Sequence, residues 1–249
     1  MAEIALPWTI FPLFFLIAGL YASVGQGGAS GYLALFALYG IASPAVPPVA
    51  LALNIIVASL SFLAFKKGGH FSARMFIPFA VTSVPAAFLG GLIPLSSSVF
   101  TWLLGLSLLA AALMTYHSRY QERETRPIPM RTLWTFGSPA GFLLGFVSGM
   151  IGLGGGVFLA PLILLAGWGD AKKAAALSSA FIAVNSVSGL TGHILRGNFD
   201  LRTVLVLGAA VIVGGAAGAY AGAGILPERT LRIILAAILA AGALKMLIG

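Results

Sequence analysis

The chain has 249 residues, of which 59% are hydrophobic and 8% are charged, and its mean hydropathy is +1.04. Soluble domains carry about 25% charged residues, so this composition excludes a soluble globular protein. Several apolar runs reach the ~20 residues that cross a bilayer as a helix and are too continuous for barrel strands. The net charge of +8 comes from bases in short loops between these runs, which membrane topology explains without nucleic-acid binding.

The first half of the chain opens with an apolar stretch, Trp8 to Tyr39, that is interrupted by Gly25-Gln26-Gly27-Gly28. Glycine costs roughly 1 kcal/mol relative to alanine inside a helix, so this cluster predicts a break between two helices. Three uninterrupted apolar runs follow and predict three membrane-spanning helices, at about 49–65, 75–93 and 99–116. The first of these runs carries Asn54 near its middle.

A polar linker containing arginine and proline, residues 117–131, is followed by a second half with the same plan. Its first apolar stretch, 133–166, is interrupted by Gly152-Leu153-Gly154-Gly155-Gly156, and three plain runs complete it, at about 174–195, 203–225 and 231–248. The sequence therefore predicts an all-α polytopic membrane protein of two repeats, 1–116 and 132–249, joined by a cytoplasmic linker. Each repeat is a glycine-broken helix pair plus three transmembrane helices.

Four motifs recur in the same order in the two halves, as internal repeats of secondary transporters do. They are the glycine clusters, the pair Asn54 and Asn185, "GGHFSAR" with "RGNFDLR", and "LIPLSSSVF" with "ILPERTLRI". If each broken segment enters and returns on one side, the second repeat is inverted. Four bases (Lys172, Lys173, Arg229, Arg232) are then cytoplasmic, and Arg196 and Arg202 are outside. If each broken segment instead crosses the membrane once, these sides are exchanged and, of these six bases, only Arg196 and Arg202 are cytoplasmic. Basic residues are enriched on the cytoplasmic side, so the count favours inverted repeats.

The two glycine clusters are candidate binding elements because a new helix N-terminus exposes N–H groups and a dipole end that attract anions. The alternative is close helix packing, which glycine also permits and which suits Gly214, Gly215 and Gly218. Consecutive glycines exceed what such packing needs. We therefore predict substrate binding at the two breaks, by Gly25, Gln26, Gly27, Gly28, Gly152, Gly154, Gly155 and Gly156.

Polar side chains in the following runs extend this predicted site. Asn54 and Asn185 each lie in the run after a break, and a mid-span amide needs a partner on a neighbouring helix or a ligand. Ser178 and Ser179 begin the run of Asn185 and add hydroxyl donors. Structural bonding between helices is the alternative role for the two amides.

The acids lie in loops, at chain ends or in the linker, so the predicted spans hold no carboxylate. Cation carriers and carboxylate proton relays normally need an acid within the membrane, and its absence favours an anionic substrate. His193, near the end of its run, is the candidate for proton coupling, with a helix-end histidine facing lipid headgroups as the alternative.

Enzymatic function is not expected. Ser148 and His193 resemble the pair of an intramembrane protease, but the serine lacks the required glycine spacing. The sequence contains no metal-ligand cluster, nucleotide-binding motif or dinucleotide fingerprint, so no cofactor and no metal are predicted.

The order "GFLLGFVSGMIGLGGGVFLAPLIL", "AAALSSAFIAVNSVSG" and "GNFD" resembles the sulfite exporter TauE/SafE family of bacterial and archaeal inner-membrane carriers. The first half repeats the pattern with Gln26 in the glycine motif and Ala34 where the second half has Pro161. The resemblance implies a multi-pass inner (plasma) membrane carrier that exports small sulfur-containing anions such as sulfite or organosulfonates. It carries onto Gly152, Gly154, Gly155, Gly156, Pro161 and Asn185.

The sequence as a whole predicts a secondary transporter that binds the anion between two glycine-broken helices at mid-membrane and works by alternating access. A passive anion channel and an accessory membrane subunit without transport activity are the alternatives. The expected partners are the anion and the lipid bilayer, with no nucleic acid. The oligomeric state stays open, a homo-oligomer included.

Overall fold

The computed structural model describes residues 6–41, 43–118, 128–197, 199–222 and 228–248, and these residues form α-helices joined by short loops, with no strand among them. The predicted all-helical class is confirmed. The helices are α1 (Ile10–Ser23), α2 (Ala29–Leu38), α3 (Val46–Lys67), α4 (Ala73–Leu92), α5 (Ser97–Ser118), α6 (Met130–Ile151), α7 (Gly156–Leu165), α8 (Ala171–Leu195), α9 (Leu201–Gly222) and α10 (Glu228–Ile248).

Six helices within the described ranges are long and apolar enough to cross a membrane, namely α3, α4, α5, α6, α8 and α9. Their outward faces carry many exposed large apolar side chains, including Leu113, Phe136 and Leu205. A face of this kind is covered by hydrocarbon rather than water. The chain is therefore a multi-pass membrane protein.

The glycine cluster at 25–28 turns the chain back on itself, so that α1 and α2 form a hairpin. The Tyr39 hydroxyl, just after α2, donates to Thr9 Oγ1, just before α1, at 2.9 Å. Between these ends, Phe14 stacks on Tyr32 with ring centroids 4.8 Å apart. The start of α1 and the end of α2 consequently lie at the same end of the helix bundle.

The cluster at 152–156 makes a second hairpin from α6 and α7. Leu133, in the first turn of α6, shares a hydrophobic cluster with Ile163 and Leu164 at the end of α7. Trp168, just past α7, reaches Phe79 of α4, with ring centroids 6.3 Å apart. The end of α7 therefore lies beside the first part of α6, as the end of α2 lies beside the start of α1.

Each hairpin packs against a long helix from the other half of the chain: α1 against α9, and α6 against α4. Small residues make these approaches close. A Cβ added at Gly218 would overlap the carbonyl oxygen of Gly19, and one at Gly149 would overlap that of Ala87. In membranes, where apolar surface gives helices no reason to associate, such close packing holds them together.

Helices α3 and α8 pack against each other in the centre, and the hairpins lie around them. They run antiparallel, because Phe65 near the end of α3 clusters with Ala175 and Ala176 near the start of α8. The pairing brings the two mid-helix asparagines into the interior, where Asn54 and Asn185 are each 1% exposed.

Candidate functional site

The first helix break is closed by a side chain from α3. Gly28 precedes α2 in the left-handed conformation, with φ of 101°, which glycine adopts without strain. The first backbone N–H of α2, that of Ala29, donates to Asn54 Oδ1 at 3.0 Å. Asn54 therefore caps α2 from another helix and satisfies one of the N–H groups that a helix start leaves unpaired.

The same amide also reaches the second half of the chain. Asn54 Nδ2 donates to the hydroxyl oxygen of Ser186, on α8, at 3.0 Å. One buried side chain thus links the start of α2 to the central helix of the other half. Both bonds are shielded from water, so losing either would leave a buried polar group unsatisfied.

The second break meets this amide from the other side. A Cβ added at Gly154 would overlap Asn54 Nδ2 and lie 2.7 Å from Ser186 Oγ, while one added at Gly27 would overlap Asn54 Oδ1. Any larger residue at either glycine would displace the amide. The structure thus brings Gly27, Gly154 and Asn54 together.

Both breaks leave four N–H groups free, and they differ in whether a side chain caps the helix that follows. At the first, the Ala29 N–H is bonded to Asn54, and those of Gly27, Gly28, Ser30 and Gly31 have no partner among the described residues. At the second, α7 starts after Gly155, whose φ is 78°, with no side-chain cap. Within the described chain, the N–H groups of Gly154, Gly155, Gly156 and Val157 have no hydrogen-bond partner. An uncapped helix start with several free N–H groups is suited to bind an anion.

Ile182 of α8 supplies the apolar wall of this centre. A Cβ at Gly27 would lie 2.8 Å from its Cγ2, and one at Gly154 would lie 3.2 Å from the same atom. The residue therefore contacts both breaks. It stands three residues before Asn185, on the face that α8 turns to the hairpins.

The remaining predicted residues lie around this centre, all buried. Asn185 Nδ2 donates to its own helix, to the carbonyl of Phe181 at 2.9 Å, and its Oδ1 has no partner among the described residues. Ser178 Oγ is also unpartnered there, whereas Ser179 donates to the Ala176 carbonyl. Gln26 is 6% exposed, and its side-chain amide has no hydrogen-bond partner within the described residues.

Gly25 and Gly152 shape the tips of the hairpins rather than the centre. A Cβ at Gly25 would overlap Ala175 of α8, and one at Gly152 would lie 2.8 Å from the Pro47 carbonyl oxygen. Gly28 lies against the Tyr32 ring, and Gly156 against Ile182.

Ser148 and His193 have separate partners. The serine hydroxyl donates to the Leu144 carbonyl of its own helix. His193 Nε2 donates to the Gly149 carbonyl at 2.9 Å, since a carbonyl only accepts. The serine and the imidazole do not form the nucleophile–base bond of a protease.

Charge is kept out of the centre among the described residues. The two acids whose side chains are described cap helices at loop ends: Asp170 accepts from the Lys173 N–H, and Asp200 accepts from that of Thr203. No three His, Cys, Asp or Glu residues in the described ranges are grouped so as to hold a metal.

Two residues of the centre, Ser186 and Ile182, were not predicted from the sequence. Ser186 directly follows Asn185 in the motif "VNSVSG", and its hydroxyl, in a largely apolar run, could have indicated a polar contact. Ile182 carried none, because an apolar residue in an apolar helix gives no indication of what it touches.

Broken-helix hairpins that meet at a buried polar group within a bundle of membrane-spanning helices are typical of membrane transporters. The sequence profile of the sulfite exporter TauE/SafE family matches residues 10–246. The chain belongs to this family, as its motifs indicated.

Relatives in three organisms agree with this assignment. The chain is 39% identical to the probable membrane transporter protein y4hK of Sinorhizobium fredii, over 94% of this chain and 95% of that one. It is 23% identical to the probable membrane transporter protein MJ0441 of Methanocaldococcus jannaschii, over 96% of each chain. It is 24% identical to the probable membrane transporter protein YunE of Bacillus subtilis, over 82% of this chain and 84% of that one. No solved structure matches the chain.

Proposed function

We propose that this transporter exports small sulfur-containing anions, such as sulfite or organosulfonates, by alternating access, and that the anion binds between the two helix breaks. The observation that carries the proposal is the meeting of both breaks at Asn54, with free N–H groups at the start of α7. Oriented N–H groups and a helix dipole in a low-dielectric interior favour a negative charge.

The proposed site divides the work between its residues. The N–H groups of Gly155 and Gly156 hold the anion, and the amides of Asn185 and Gln26 complete its shell. Both side chains are buried and have unused hydrogen-bonding capacity in the conformation seen here. Asn54, by contrast, holds α2 and α8 in place around the anion. Selectivity is assigned to Gln26 because Leu153 stands at the matching position of the second break.

The hairpins support an inverted arrangement of repeats 1–116 and 132–249 around linker 117–131. If each hairpin returns to its side, each half crosses the membrane three times, and the halves have opposite orientations. The end of α3, with Lys66 and Lys67, and the start of α8, with Lys172 and Lys173, then share the cytoplasmic side of an inner (plasma) membrane.

Cysteine labelling tests this topology directly, because the chain contains no cysteine. Gly69→Cys and Gly197→Cys are a matched pair: both glycines have positive φ, 77° in each case, and neither has an atom within 4 Å of an added Cβ. In intact cells, a membrane-impermeant maleimide is expected to label the cysteine at 197 and to spare that at 69. Labelling of both or neither in intact cells would contradict inversion.

Transport itself is tested in proteoliposomes with radiolabelled sulfite. A carrier is expected to show saturable flux and counterflow, in which unlabelled sulfite trapped inside accelerates uptake of the label. A passive channel gives flux without counterflow, and an accessory subunit gives neither. A thermal-shift series with sulfite, sulfate, sulfoacetate, taurine, thiosulfate and acetate then ranks the ligands, and no stabilisation by any anion would contradict the proposal.

A further inference from the structure

A cavity of about 430 Å³ lies apart from the helix breaks, at the end of the bundle where α2, α8 and α10 end. This volume falls in the range of small-molecule sites, roughly 300–1,000 Å³. None of the residues at the Asn54 centre lines it. In the proposed topology, it faces the outside of the membrane.

The wall of the cavity combines an apolar surface with basic side chains. Its body is apolar, lined by Leu33, Phe36, Phe100, Leu104, Met150 and Met246. Its basic groups are His193 of α8, Arg196 just after α8 and Lys245 of α10, and no acid is present among the described residues that line it. The residues that α2, α3, α5 and α6 contribute to the cavity wall are neither titratable nor charged. The lining therefore matches an anion that carries an apolar body.

The guanidinium of Arg196 is fixed in this wall by backbone contacts. Its Nη1 donates to the carbonyl of Ile93, at the C-terminal end of α4, at 3.0 Å. A helix C-terminus attracts cations, so this bond holds the charge beside the cavity. An anion bound there meets a positive charge whose position is already set, which lowers the ordering cost of binding.

His193 lines the same cavity, and its Nδ1 is buried within the wall. It is 2% exposed, and because Nε2–H is committed to the Gly149 carbonyl, Nδ1 carries a bare lone pair. Nδ1 has no hydrogen-bond partner among the described residues. A proton on Nδ1 would add a buried positive charge next to two others. That charge becomes favourable when an anion occupies the cavity.

We propose that this cavity is a second anion site, in which Arg196 and Lys245 attract a monovalent anion with an apolar body and His193 takes up a proton as the anion binds. The proposal rests on the proposed anion transport, for which the cavity is the outer vestibule. Anion and proton binding are coupled, so each strengthens the other by the same factor. No net charge is then added to the interior when the cavity fills.

Isothermal titration of the purified protein with propane-1-sulfonate tests the proposal. The sulfonate stays ionised throughout the working pH range, so any proton taken up on binding goes to the protein. Titrations in two buffers with different ionisation enthalpies count these protons. We expect uptake of up to one proton per anion and an affinity that falls by as much as about tenfold per pH unit where the empty site is unprotonated. Binding without proton uptake and independent of pH would overturn the role of His193.

Substitutions locate the site. His193→Gln keeps an amide donor for the Gly149 carbonyl and is expected to bind the sulfonate without proton uptake. Arg196→Gln is expected to weaken binding by about tenfold or more, as loss of a charged hydrogen-bond partner does. His70→Gln and Arg131→Gln, at the opposite end of the bundle, are the matched controls and should leave both quantities unchanged. Equal sulfonate affinity in wild type and Arg196→Gln would overturn the proposal. Native mass spectrometry gives a second test: a co-purified lipid that the sulfonate does not displace would also overturn it.

The test separates this site from the one at the helix breaks. Sulfonate binding is measured in Asn54→Leu as well, whose change lies outside the cavity. Proton-linked binding that persists there, and that Arg196→Gln weakens, supports the vestibule whatever the variant does to transport. The opposite result is that substitutions at Gly27 and Asn54 reduce transport while Arg196→Gln binds the sulfonate with wild-type affinity. That result would overturn the vestibule and leave the proposed function standing.

Discussion

Replacing Gly27 with alanine is expected to reduce sulfite transport in proteoliposomes at least about tenfold, because the added methyl group displaces the Asn54 amide on which the break closes. The new Cβ would overlap Asn54 Oδ1 and lie 2.8 Å from Ile182. Gly27 has no positive φ, so alanine adds no backbone strain at this position. The loss of transport would therefore report the steric overlap with Asn54 and not the loss of glycine's conformational freedom.

Two controls complete the design. Gly208→Ala, in the middle of α9, adds a methyl group with no atom within 4 Å and should transport as wild type does. Gly154→Ala combines positive φ, 70°, with overlap of Asn54 Nδ2, whereas Gly197→Ala has positive φ, 77°, and open space. Only the variants that reach Asn54 should lose transport. Normal transport by Gly27→Ala or by the bulkier Gly154→Leu, with the protein folded, would remove the breaks from the mechanism.

Asn54→Leu is expected to lower both stability and transport. Leucine has the same branched shape as asparagine, with two methyl groups in place of the amide, and gives up the bond from the Ala29 N–H and the bond to Ser186 Oγ. Hydrogen bonds between membrane helices contribute at most about 1–2 kcal/mol each, so the free energy of unfolding should fall by an amount up to about 2–4 kcal/mol. The thermal midpoint in detergent and the sulfite flux measure the two effects, and Ser186→Ala should cause about half the loss of stability.

Asn185→Leu is the matched comparison for Asn54. Asn185 bonds only within its own helix, and its Oδ1 is unpartnered in the described structure. Leucine at this position should therefore change the thermal midpoint little. If Asn185 contacts the anion, transport falls with stability retained. Equal loss of stability in both leucine variants would contradict the distinct roles assigned to the two amides.

The two helix breaks could be predicted from the sequence because their cause is local. Consecutive glycines destabilise a helix wherever they occur, and the breaks at 25–28 and 152–156 lie where the glycines are. The long helices could also be predicted from the apolar runs, because the thickness of the bilayer sets the length of a run that crosses it. Asn54 was singled out because a lone amide in an apolar run needs a partner.

The partners themselves could not be predicted in this way. Asn54 bonds Ser186, 132 residues away, through the packing of α3 on α8, which no local pattern encodes. Arg196 was interpreted as a topology signal, and Lys245 was not singled out. A basic residue near the end of a membrane helix usually marks topology only. Their meeting with His193 at one cavity depends on where α8 and α10 end relative to each other.

The most direct measurement is to locate the anion itself. Crystals grown with selenite, a heavier analogue of sulfite, give an anomalous signal that marks the anion without reference to the protein. The proposed function predicts a peak at the start of α7, within hydrogen-bond distance of the Gly155 and Gly156 backbone nitrogens and close to Asn54. Occupied density confined to the Arg196 cavity, or to surface bases with none at the breaks, would contradict it.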